Sequence, residues 1–149
     1  MIMKMIDRQS LPRIQVTVFI GLLEKNNKIL MVQRKEKECS GAHLKWELPG
    51  GKTLFGEMPE EALKREFLEE TGIKIKILSL LPKIQVSVWE YPDRIQQVFV
   101  FCYVCEYIEK KSNSSDHRVN KVAWIEKNRV KNMKLLPGIR EFIEYKANL

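Results

Sequence analysis

The sequence predicts an α/β domain in which a mixed β-sheet carries helices on its faces. Three observations lead there. Segments rich in β-branched and aromatic residues recur along most of the chain. One helix, Pro59–Thr71, interrupts them, and a second, amphipathic stretch at residues 139–146 closes the chain. No linker, repeat or low-complexity tract divides the 149 residues, so residues 1–149 are expected to form one domain. Hydrophobic residues at 44% and charged residues at 30% supply an ordinary core and surface. A chain of this size hides about 70% of its extended surface on folding, so it needs no disulfide or structural metal. Disorder, a collagen-like repeat and a disulfide scaffold are thereby excluded.

In chain order, residues 14–23 read as a strand, Asn26-Asn27 as a turn, and residues 29–33 as the returning strand. A charged loop over residues 34–43 leads to Trp46-Glu-Leu-Pro-Gly-Gly51. The helix Pro59–Thr71 starts on a proline, which suits a first turn, and stops at Gly72, which suits a left-handed cap. Residues 73–80 and 84–89 are expected to be two strands. Tyr91-Pro-Asp-Arg94 is a turn into a strand over residues 95–107. The polar cluster at residues 110–117 reads as a surface loop, residues 119–125 as a short strand.

The longest apolar runs, residues 16–23 and 98–105, are 8 residues each. A bilayer span needs about 20, so no membrane crossing is expected. The opening Met1–Ile6 is too short and interrupted for a signal peptide. Three cysteines, an odd count, point to a reducing, cytoplasmic setting. Cys102 and Cys105 form a C-x-x-C, but on a strand positions three apart face opposite ways. No second Cys pair or spaced His pair completes a zinc site, so the thiols read as buried and inert. The charge is less ordinary: 26 Lys and Arg against 19 Asp and Glu give +7. That favours a polyanionic partner (a nucleotide, RNA or a membrane surface) without choosing among them.

Five of the 19 acidic residues sit in one helix: Glu60, Glu61, Glu66, Glu69 and Glu70. With Glu66 at zero and about 100° per residue, Glu70 falls at about 40° and Glu69 at about 300°. These three share one sector at the end of the helix. Glu60 and Glu61 each precede a cation by four residues (Lys64, Arg65), which is ordinary helix support. Leu63 and Phe67 form the apolar flank. Three crowded carboxylates near the negative end of a helix dipole need solvent or a cation to compensate them. By spacing alone, a solvated acidic face and a Mg²⁺ site remain equally open.

The preceding residues weigh on that choice. Gly51, five residues, Glu57, seven residues, then Arg65-Glu66-Phe67-x-Glu69-Glu70-x-Gly72-Ile73 resembles the Nudix box of the Nudix hydrolases in every fixed position. Phe67 stands where the family usually has an aliphatic residue. The leading Trp46-Glu-Leu-Pro-Gly-Gly51 is also typical. The resemblance implies an α/β/α sandwich around a central mixed sheet, and Mg²⁺- or Mn²⁺-dependent hydrolysis of a nucleoside diphosphate linked to another group.

Carried over residue by residue, it implies that Glu69 and Glu70 bind metal and that the Gly50 carbonyl completes the coordination. Glu66 either binds metal or orients and deprotonates the attacking water. Arg65 orients the carboxylates, and Glu57 supports them or holds an additional metal. Members often recruit a carboxylate from outside the box. Here Glu106, Glu109 and Asp116 are available, and each reads as a surface charge. His43 and His117, without spaced partners, read as solvent-facing loop residues.

The downstream signatures of the ADP-ribose and NADH branches and the upstream signature of the coenzyme A branch are missing; the nearest prolines to Val88-Trp89 are Pro82 and Pro92. What remains looks most like the MutT-like branch that cleans nucleoside triphosphates, including oxidised dGTP. The implied products are a nucleoside monophosphate and pyrophosphate. Alternatives are ADP-ribose, a nucleotide sugar or an RNA 5′ end as substrate, or a non-catalytic nucleotide- or RNA-binding module. A homodimer is in keeping with the family. Phe19, Trp46, Trp89 and Tyr91 can stack on a base or simply fill the core. Leu135-Leu-Pro-Gly138 is a candidate pocket wall, and Lys127, Arg129, Lys131 and Lys134 either attract phosphates or solvate the surface.

Overall fold

The computed structural model describes residues 8–149; the expectation about a leader at Met1–Ile6 lies outside them. Seven strands and two α-helices follow one another: β1 Arg13–Lys25, β2 Lys28–Arg34, β3 Trp46–Glu47, β4 Gly50–Lys52, α1 Pro59–Thr71, β5 Ile73–Glu90, β6 Ile95–Lys110, β7 Val119–Glu126 and α2 Ile139–Ala147. The strands lie in the order β3-β2-β1-β6-β5, with β4 also beside β1 and β7 beside β2. β1 and β6 run parallel and the other pairs antiparallel, so the sheet is mixed.

The first hairpin turns on Asn26 and Asn27, at φ 52° and 61°, with Lys25 paired to Lys28. Two central residues at positive φ make the turn that matches strand twist, and asparagine tolerates it. β1 stays with β2 only through Glu24 and Lys25. Beyond them β1 turns to β4, pairing Val18, Phe19 and Ile20 with Lys52, Gly51 and Gly50. The two halves of the sheet therefore splay, and β4 meets the acidic end of α1 where Gly51 lies against Glu66.

Alternation along β1 divides the core. Phe19 and Leu23 join Leu63 and Phe67 of α1, whereas Ile20 and Leu22 join Ile139 and Phe142 of α2. The helices thus cover opposite faces, as the α/β/α expectation requires. Phe67, fully buried, lies over Gly21, where any Cβ would come 2.6 Å from its ring. Burying Phe67 and Leu63 contributes about 1.5–3 kcal/mol each. The same alternation parts the thiols: Cys102 packs on the α2 side and Cys105 on the α1 side. Burial raises both, Cys105 to about 12. Cys39 is buried too.

α1 begins with Pro59 in its first turn and ends on Gly72 at φ 73°, whose N–H donates to the Leu68 carbonyl. The two strands expected at residues 73–80 and 84–89 are one strand, β5, irregular between Leu80 and Ile84. Pro82 is accommodated because β5 is the sheet's edge, where a missing N–H costs no ladder bond. Among the described residues no helix is long and apolar enough to cross a membrane.

Candidate functional site

The last two turns of α1 rest on β4, and the contact depends on Gly51. A Cβ there would lie 2.6 Å from the Glu66 carboxyl carbon and within 2.9 Å of both its oxygens. Glycine lets the carboxylate lie flat against the strand, where Glu66 is only 5% exposed. Oε1 of Glu66 accepts from Arg65 Nη1 at 3.0 Å, but Oε2 is buried with no hydrogen-bond partner among the described residues. Arg118 Nη2, 3.8 Å from Oε2, is too distant for a hydrogen bond. Burial raises the Glu66 pKa against the opposing pull of Arg65 and Arg118.

Arg65 ties the acidic side chains together. Its Nε and Nη2 donate to the two oxygens of Glu57 at 2.8 and 2.9 Å, and Nη2 also to the Lys52 carbonyl at 3.1 Å. Its Nη1 reaches Glu66 and, at 3.4 Å, Glu69. The hydrogen bonds from Arg65, joined by the Leu54 N–H, hold Glu57 down to about 2. Through Arg65 and the Leu54 N–H, Glu57 clamps the loop before α1 to the helix.

Asp116 departs from expectation. It reads in sequence as a surface charge, yet its side chain is only 6% exposed. One oxygen of it, one of Glu66 and one of Glu69 all lie within 4.8 Å of one another. The cause is the end of α1, whose last carbonyls have no partner within the helix. The loop supplies partners: Ser115 N–H donates to Glu69 O at 3.0 Å, and Lys111 N–H to Gly72 O at 2.7 Å. Folding the loop back this way carries Asp116 to the acids. Arg118 then grips both Asp116 oxygens, at 3.1 and 2.8 Å. Burial pushes the Asp116 pKa up, but these bonds outweigh it and the net shift is downward.

Glu70 is not one of the three converging acids. It is 5% exposed and its Oε1 accepts the Gly50 N–H at 3.2 Å. Burial, reinforced by Glu47 and Glu66, raises its pKa well above the usual carboxylate range. An orphaned carboxylate oxygen, three converging anionic oxygens and a cradle that a Cβ would fill together suit a hard divalent cation.

Beside the acids opens a cavity of about 270 Å³. Its lining includes Gly50, Gly51, Lys52, Glu70, Asp116 and Arg118, and apolar side chains of β1 (Val18, Ile20) and β6 (Val98, Val100). Trp89 and Tyr91 line it as well, while Phe19 stacks on Phe101 in the core at 5.4 Å and Trp46 packs in the opposite core cluster. Leu136 and Pro137 form part of the wall, as the Leu135–Gly138 segment suggests.

The cations at the cavity are Arg34, Lys52, Arg94 and Arg118. Lys127, Arg129, Lys131 and Lys134 are not among them, and Lys127 is bonded to Glu24 at 2.7 Å. Periodicity holds no signal for this, because the cavity's cations come from four separate segments. Glu106, Glu109 and His117 are exposed. His43 is half-buried, and its Nδ1 accepts the Glu36 N–H at 3.1 Å.

The sequence profile of the NUDIX domain matches residues 13–145. An ADP-ribose pyrophosphatase of Methanocaldococcus jannaschii is 45% identical over 74 residues, 50% of this chain and 39% of that protein. An 8-oxo-dGTP diphosphatase of Escherichia coli is 35% identical over 80 residues, 54% of this chain and 59% of that one. The chain therefore spans about two fifths to three fifths of these curated relatives. A MutT NUDIX hydrolase from Burkholderia pseudomallei shares the fold, with a TM-score of 0.70 at 21% identity over 88% of this chain and 97% of that one. With the profile spanning every strand and the acid-bearing helix between them, the chain belongs to the NUDIX domain family.

Proposed function

We propose that this chain is a pyrophosphohydrolase that cleaves a nucleoside triphosphate, oxidised dGTP included, to a nucleoside monophosphate and pyrophosphate. The observation that carries the reading is the convergence of carboxylate oxygens from Glu66, Glu69 and Asp116, with Glu66 Oε2 left unpaired among the described residues, beside a cavity of about 270 Å³. Glu66, Glu69 and Asp116 would hold Mg²⁺ or Mn²⁺, with Glu70 and the Gly50 carbonyl at the margin. When bound, such a cation lowers the pKa of coordinated water and offsets charge on the phosphates.

The chain's own residues do the rest. Arg65 fixes Glu66 and Glu69 in place through its Nη1. Arg118 and Lys52, which line the cavity, draw the phosphates in against the acids' repulsion. Glu70, which lines the cavity and accepts the Gly50 N–H, is the carboxylate placed to take the proton from the attacking water.

A second reading, ADP-ribose as substrate, is supported by the identity to the M. jannaschii relative over half of this chain. The deciding experiment screens purified protein with Mg²⁺ against canonical and oxidised nucleoside triphosphates, ADP-ribose, nucleotide sugars and 5′-triphosphorylated RNA. Triphosphate turnover abolished by Glu69→Gln supports the first reading, and ADP-ribose turnover alone supports the second. A Glu69→Gln protein as fast as the parent removes the proposed site.

A further inference from the structure

Gln96 is 4% exposed, lines the cavity from β6 and sits opposite Trp89 of β5 in the sheet register. The cation set explains its orientation. Arg94 lies over the Tyr91 ring, 3.9 Å from guanidinium carbon to ring centre, and its Nη1 bonds Asp93 at 2.8 Å. The turn behind it is closed by the Tyr91 N–H donating to the Arg94 carbonyl at 2.8 Å. So anchored, Arg94 points Nε at Gln96 Oε1, 3.2 Å away. A guanidinium only donates, so the amide must offer it the oxygen. The amide nitrogen is thereby left as the donor of a residue that lines the cavity, and no hydrogen bond from it is seen among the described residues.

We infer that Gln96 reads the base of the nucleotide, donating from its amide nitrogen to a ring carbonyl and so selecting 6-oxopurines over 6-aminopurines. The inference rests on the nucleotide reading above. An oxo group on the base satisfies a donor that the fold leaves unpaired at the cavity. An exocyclic amine at the same point would set donor against donor and leave both unpaired away from water, a loss of about tenfold or more in affinity. Arg94 is a positioning residue: held by Tyr91 and Asp93, it prevents the amide from flipping to accept from an amine instead. Trp89, Tyr91 and Pro137, which also line the cavity, supply flat and apolar surface for the ring.

The test is calorimetric binding of GMP, IMP and AMP to the full chain, which does not require turnover. IMP carries the 6-oxo group and lacks the 2-amino group, so it isolates the contact in question. GMP and IMP should bind at least about tenfold more tightly than AMP. Gln96→Leu should remove the difference. Gln96→Glu, which keeps an oxygen for Arg94 and adds one that accepts from an amine, should turn the preference toward AMP; a damaged fold cannot invert a preference. Equal affinities in the parent, no binding of any of the three, or an unchanged ratio in Gln96→Leu each overturn the inference. Triphosphate turnover is measured in parallel. A 6-oxo preference in binding without turnover removes the proposed activity and leaves Gln96's role standing; turnover without the preference removes Gln96's role alone.

Discussion

Gly51 and Glu66 occupy space that admits no methyl group between them: a Cβ on Gly51 would lie 2.6 Å from the Glu66 carboxyl carbon. Gly51→Ala must therefore push Glu66 away from Glu69 and Asp116. A misplacement of about 1 Å in such a site costs about 10²-fold in rate. Steady-state kinetics on the preferred substrate should show that loss, with a melting temperature little changed. An alanine variant of parental activity would mean that Glu66 does not need this position.

A cation bound by Glu66, Glu69 and Asp116 in the folded state alone stabilises the protein by mass action. At a hundredfold excess over its Kd the gain is about 2.7 kcal/mol. Mg²⁺ or Mn²⁺ should raise the melting temperature of the parent and leave that of Glu66→Gln unmoved, by scanning calorimetry. Equal shifts in both proteins would place the cation elsewhere.

Arg65 holds Glu57 down to about 2 in the folded state, against about 4.3 for an ordinary glutamate. A depressed carboxyl pKa gives stability that is fully present above the ordinary value. That contribution disappears as pH falls through the folded value. The stability deficit of Glu57→Gln, measured by urea unfolding, should thus be greatest at pH 6–7 and shrink between about pH 4.3 and about pH 2. A deficit constant across that window contradicts the Glu57–Arg65 contact.

Glu70 shifts the other way. Burial raises its pKa, so the folded state disfavours its ionised form. The cost is absent at low pH and grows as pH rises from the ordinary glutamate value through the raised one. Glu70→Gln keeps an oxygen for the Gly50 N–H and removes that cost. Without divalent metal the variant should be more stable than the parent at neutral pH, by an amount that fades on acidification, while losing turnover. A Glu70→Gln protein less stable at neutral pH would contradict the assignment of this cost to Glu70.

The sequence made much of this legible because local rules governed it. Gly72 and Pro59 bound α1, Asn26-Asn27 makes the hairpin, and alternation parts Cys102 from Cys105. Reading failed where a distant partner decides. Pro82 breaks a strand in isolation but not at a sheet edge. Asp116 sits in a run of polar residues with no periodicity, and only the carbonyls of Glu69 and Gly72, free at the end of α1, draw its loop inward. Arg34, Lys52, Arg94 and Arg118 lie far apart in the chain, so their meeting at one cavity belongs to the splayed sheet.

The central claim is that Asp116 completes a divalent metal site with Glu66 and Glu69. Paramagnetic resonance of free Mn²⁺, titrated against the purified chain, tests it most directly. The parent should deplete the free signal, and Asp116→Asn should weaken that binding about tenfold or more while its circular dichroism stays parental. Titration curves that coincide for the two proteins would contradict it.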